Sequence, residues 1–133
     1  MEQDIKKTQS YAVGDIVKAE VRSGHYVAEV MELNGPRALV KILAVLKHPE
    51  QGDLHSPYNP DVPMFHERRA LSYTEKTTVL LRALSVYGSS TVPDYKQSLL
   101  AATETAAESL DQLKRWAEKS LILIKELEMD YNK

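Results

Sequence analysis

The 133-residue sequence contains no cysteine. That excludes disulfides, thiolate metal sites, cysteine nucleophiles and any lipid attached through cysteine. Long apolar runs are also missing. The longest are Ile42 to Leu46 and Leu121 to Ile124, far short of the roughly 20 residues of a membrane span. The opening MEQDIKKTQSYAVGD has no apolar core of the kind a secretory leader needs. The expectation is therefore a cytoplasmic protein with no signal peptide and no lipid-anchor cysteine, reaching the inner face of a membrane only through a partner. There is no excess of positive charge: the net charge is −2, which argues against a nucleic-acid binder. Five glycines are scattered through the chain and form neither a P-loop nor a dinucleotide fingerprint. No serine sits in G-x-S-x-G or S-x-x-K. No cofactor is indicated.

What is present divides by periodicity. Residues 1–11 are polar and read as a flexible N-terminus. From Val13 the residues alternate with period two. Val17, Ala19 and Val21 share one face, and Tyr26, Ala28 and Val30 share another. Ser23-Gly24 and Asn34-Gly35 mark turns. Ala38 to Leu46 is apolar at most positions, as in a central or doubly covered strand. ERRALSYTEKTTVLLRALSVYG reads as one or two more strands broken near Glu75 and Lys76, although TVLLRAL also suits a helix. Short strands with tight turns need their edges covered, so the expectation over 12–90 is a small closed or half-closed barrel of the SH3-like kind.

After Pro93 the period becomes helical, with no further Gly or Pro. Leu110, Leu113, Ala117, Ser120, Ile124, Leu127 and Tyr131 recur at alternating three- and four-residue steps, and Trp116 and Leu121 widen that stripe. One continuous helix here would be about 57 Å long, awkward on so small a barrel. SLDQ, residues 109–112, has the form of a capping box. The expectation over 91–133 is thus a pair of helices breaking near Ser109, in an α+β fold, with the stripe packed on the barrel or on the other helix.

Residues 46–66 are the unusual stretch. They hold His48, His55 and His66, together with Pro49, Pro57, Pro60 and Pro63. The prolines forbid a helix and remove ladder donors from any strand. His48, His55 and His66, with Asp53 and Glu67, offer ligand chemistry for zinc, but their spacing matches no metal motif. The alternative is a rigid loop whose histidine and aspartate side chains satisfy backbone groups. Tyr58 and Phe65 serve either as contact anchors or, for Phe65, as a plug at the barrel end. Arg68 and Arg69 either grip an acidic partner or close the loop against Glu67, Asp53 or Asp61.

GDIV, SGHYVAEV and, above all, VLKHPEQGDLHSP with DVPMFHERRAL resemble the kinase-associated protein B family of Bacillus, also called kinase-associated lipoprotein B. The resemblance resumes at VPDYKQSL and ELEMDY. It implies an SH3-like barrel followed by helices. It also implies a non-enzymatic accessory protein linked to a sensor histidine kinase that feeds the sporulation phosphorelay. It supplies no catalytic residues. The lipoprotein label conflicts with the missing cysteine. The residues expected to meet the partner are His48, Asp53, His55, Tyr58, Phe65, His66, Arg68 and Arg69. The competing reading is a metal-binding module or metal-dependent hydrolase built on His48, His55 and His66. A homo-oligomer is left open.

Overall fold

The computed structural model describes residues 10–133. The flexible stretch expected over 1–11 therefore lies, for residues 1–9, outside the described residues. Five strands form one antiparallel sheet: β1 Ile16–Val21, β2 Gly24–Asn34, β3 Arg37–Lys47, β4 Lys76–Leu80 and β5 Leu84–Val86. The spatial order is β4-β3-β2-β1-β5. The period-two reading holds where it was clearest. Val17 and Ala19 from β1, Tyr26, Ala28 and Val30 from β2, and Ala38, Val40 and Ile42 from β3 are buried in one core. β3 is central as expected, paired with β2 on one side and β4 on the other.

The turns follow from backbone chemistry. Gly35 takes φ 60° ahead of Pro36, as a two-residue II′ hairpin requires. The first hairpin is less ordinary. Val21 pairs with Gly24, so the loop is Arg22 and Ser23, one residue earlier than the sequence reading placed it. Both take positive φ, 47° and 73°, the I′ geometry that Asn-Gly adopts without strain. Gly24 follows because a Cβ there would lie 2.6 Å from the Tyr26 hydroxyl and 2.9 Å from its ring.

The strands do not close into a barrel. No ladder joins β4 to β5; a single 3-10 turn, Leu81–Ala83, stands between them. That turn is also where the helix-like TVLLRAL signal ends up. Four residues bridge at most about 13 Å, whereas the two edges of a flat five-stranded sheet lie about 19 Å apart. The sheet must therefore wrap until its edges approach. Register shifts in the β2–β3 pair, between His25 and Tyr26, Val27 and Ala28, and Val30 and Glu32, supply the bending.

The open side of the wrapped sheet is filled by other parts of the chain. Leu99 and Ala102 of the helix, with Ala70, Leu71 and Tyr11, pack against the core. The helix, α1, is one element, Tyr95–Tyr131, not the expected pair. Asp94 caps it, its carboxylate accepting from Gln97 N at 3.0 Å, with Pro93 just outside the first turn. Ser109 does not start a second helix. Asp111 pairs instead with Arg115 at 2.9 Å, one turn on, and nothing nearby breaks the hydrogen-bond ladder. Only Ala102 of the whole helix is buried. The stripe expected to pack on the barrel or on a second helix is exposed instead, including Leu110, Trp116 and Ile124.

Candidate partner-binding surface

Between β3 and β4 the chain leaves regular structure, and residues 50–52 and 66–68 cross to form a neck. The Gln51 amide Nε2 donates to Arg68 O at 2.9 Å, and Arg68 N donates to Gln51 Oε1 at 2.8 Å. This is the double bond of a strand pair with one backbone replaced by a side-chain amide. Gly52 N donates to His66 O at 2.8 Å. The Arg68 guanidinium donates through Nη1 to Glu50 O at 2.9 Å and Gly52 O at 2.6 Å. Arg68 thus does close the loop, but through carbonyls rather than through Glu67, Asp53 or Asp61. A charged donor facing two carbonyls makes strong bonds.

Beyond the neck the excursion 53–65 consists of short turns. Asp53 Oδ1 accepts from His55 N at 2.9 Å, and Asn59 Oδ1 accepts from Asp61 N at 2.8 Å. These carboxylate and amide groups do what short polar side chains do where prolines leave the backbone unpaired. Tyr58 is held at φ 64° and is 78% exposed. Phe65 lies over Gly52, whose absent Cβ would fall 2.9 Å from the ring. Phe65 is nonetheless 60% exposed, so it is not a plug. Met64, beside it in sequence, is exposed as well.

The histidines do not converge. His48 is half-buried at the end of β3, with Nδ1 2.9 Å from Pro49 O. His55 and His66 are exposed. Among the described residues no three His, Asp or Glu side chains stand where they could hold a metal ion.

On the inner side of the neck lies a hollow of about 300 Å³, lined by Val21, Arg22, Tyr26, Pro49, Glu67, Arg68, Arg69 and Leu71. Its floor is fixed. Tyr26, fully buried, accepts from Leu71 N at 3.2 Å, and Tyr95 donates its hydroxyl proton to Leu71 O. Burial pushes the Tyr26 phenol above its ordinary range, with the Leu71 amide partly opposing it; burial raises Tyr95 as well. Its rim is positive. Arg22 and Arg69 are exposed, and Arg69 reaches Glu67 only loosely, at 3.8 Å. Arg22 was missed by the sequence reading. Its signal was faint: a bulky residue just ahead of Ser-Gly in a hairpin. The turn carrying it is tied to the neck, since Ser23 Oγ accepts from Glu50 N at 2.8 Å.

The surface is thus a wrapped antiparallel sheet carrying a neck-braced loop and a hollow edged by arginines. Residues 21–132 match the family described as Kinase associated protein B. The chain is 41% identical over 123 residues to the protein named kinase-associated lipoprotein B of Bacillus subtilis (strain 168), covering 92% of this chain and 95% of that one. Its fold is similar to the crystal structure of kinase-associated protein B from Bacillus cereus. The TM-score is 0.67 at 35% identity, over 93% of this chain and all of the other. The chain belongs to the kinase-associated protein B family. The name of the B. subtilis relative, a lipoprotein, overturns the expectation of a cytoplasmic chain without a lipid anchor. That expectation rested on residue counts within these 133 positions. No described helix is long and apolar enough to cross a membrane.

Proposed function

We propose that this protein is a non-enzymatic accessory subunit that binds a sensor histidine kinase of the sporulation phosphorelay and modulates its signalling. The loop face and the hollow beneath it form the contact surface. The observation that carries this reading is the exposure of Tyr58, Met64 and Phe65 on a loop braced at its neck by Gln51 and Arg68. Large apolar side chains on a pre-ordered loop lose little entropy on binding, which favours recognition. Arg22 and Arg69 at the rim suit a partner segment that presents carboxylates. His48, Asp53, His55 and His66 shape and flank the surface, and Arg68 holds it. The kinase association in the family's name supports the choice of partner.

The test replaces 53–65 by a two-glycine link between Gly52 and His66, whose backbones are already hydrogen-bonded. The folded variant is expected to lose co-purification with the kinase and its effect on phosphate flow. Intact association and signalling with the sheet still folded would reject the surface.

A further inference from the structure

Past Ala106 the helix leaves the sheet, and every residue from 107 to 119 is exposed. The stretch is nevertheless apolar along one side. Leu110, Leu113, Ala117, Ser120, Ile124 and Leu127 alternate at three and four residues, the spacing of a helix-to-helix seam. Leu110 is 59% and Ile124 61% exposed. On the flanks, Trp116 and Leu123 are 65% and 60% exposed. A helix with so wide an apolar face is stable only when that face is covered. All five strands are committed to the sheet, and among the described residues none packs over the seam.

We infer that the seam is covered by the same helix of a second copy, running antiparallel. Two observations select this occupant. The first is area: at roughly 100 Å² for each half-exposed side chain, seam and flanks offer on the order of 800 Å² per copy, the share each partner gives a standard interface. The second is charge. Lys114 and Glu128 lie on the same edge of the seam, two heptads apart, and among the described residues neither has an intrachain ion-pair partner, whereas Arg115 and Lys133 do. An antiparallel register centred near Ile122 sets Lys114 of each copy beside Glu128 of the other. It also brings Ala117 opposite Leu127 and Ser120 opposite Ile124, small against large at each layer. A parallel pair would instead set Glu128 against Leu123 and Lys114 against Ser109, pairing neither charge. The antiparallel arrangement places the two sheets at opposite ends of the paired helices, so both loop faces stay open.

Sedimentation of the full chain over a concentration series tests this. The wild type is expected to run at twice its 15.0 kDa mass, and Ile124→Glu at 15.0 kDa with the sheet still melting as before. Lys114→Glu and Glu128→Lys, each striking two symmetric pairs, should each weaken the dimer by roughly tenfold. The double swap should restore it. A wild type that stays monomeric at every concentration overturns the inference. So does a double swap weaker than either single change. So does a monomeric wild type whose Ile124→Glu variant loses kinase binding, since the seam then serves another protein.

Discussion

Arg68 shows how much of the surface depends on single contacts. Its guanidinium holds two carbonyls from the opposite side of the neck, and its amide holds the Gln51 side chain. Removing the guanidinium leaves Glu50 O and Gly52 O without that donor. Arg68→Ala should cost about 2 kcal/mol, in line with hydrogen bonds to a charged group. It should also accelerate exchange at the Gly52 amide and open 53–65 to protease. Unchanged exchange at Gly52 would show that the neck holds without it. Tyr26 and Tyr95 set a pH limit. Both phenols have folded-state pKa values above the ordinary 10.0, raised chiefly by burial. The folded state therefore keeps protons that the unfolded chain gives up. The stability this contributes is whole below about pH 10 and falls as pH climbs through the folded-state values. Alkaline melts should show this loss in the wild type. Tyr95→Phe should lessen it and leave the part due to Tyr26, while costing about 1 kcal/mol at neutral pH for the bond to Leu71 O.

At the scale of elements, the helix shows where a local signal loses to its surroundings. SLDQ has the pattern of a helix start, but a capping box matters only if the backbone has stopped being helical. From Tyr95 to Tyr131 nothing stops it, and the Asp111–Arg115 pair straddles the predicted break. Proline at this point should create the break the sequence lacks. Ser109→Pro is expected to remove helical circular dichroism from the distal part and leave the melting of the sheet nearly unchanged, because only the first turns touch the core. The docking of those turns has its own probe. Ser98 Oγ accepts from Val45 N at 2.9 Å and donates to Tyr95 O at 2.8 Å, joining helix to β3. Val45 lies just past a register shift in β3. Ser98→Ala should cost about 1–3 kcal/mol by leaving a part-buried donor unpaired. A shift within measurement error would mean that water replaces the hydroxyl there. The strands, their alternation and the non-helical course of the proline-rich loop were legible because each rests on neighbouring residues. The Gln51–Arg68 neck was not, since it joins a side chain to a backbone 17 residues away. Nor was the failure of the barrel to close, which turns on where a three-residue 3-10 turn carries β5.

For the whole molecule, the two ends differ in what holds them. β2 and β3 carry the buried core and the longest ladder. The distal helix carries no buried residue, so its amides are protected only by local helix formation, or by a partner. Hydrogen exchange should therefore divide the chain. Amides of Tyr26, Ala28, Val40 and Ile42 should exchange only on global unfolding. In dilute protein, amides from 107 to 131 should exchange orders of magnitude faster, because most of a helix's stability in a protein comes from packing and this stretch has no buried residue. Raising the protein concentration separates the two causes. If the seam pairs with a second copy, protection of 107–131 rises with concentration while that of β2 and β3 stays near its limit. If it does not, both are flat. The Ile124→Glu chain, measured in parallel, should behave at every concentration as the wild type does when dilute. Protection at 107–131 equal to that of the core, in a chain shown to be monomeric, would mean that the helix is held by something within its own sequence, and the division into a fixed sheet and a partner-dependent helix would fall.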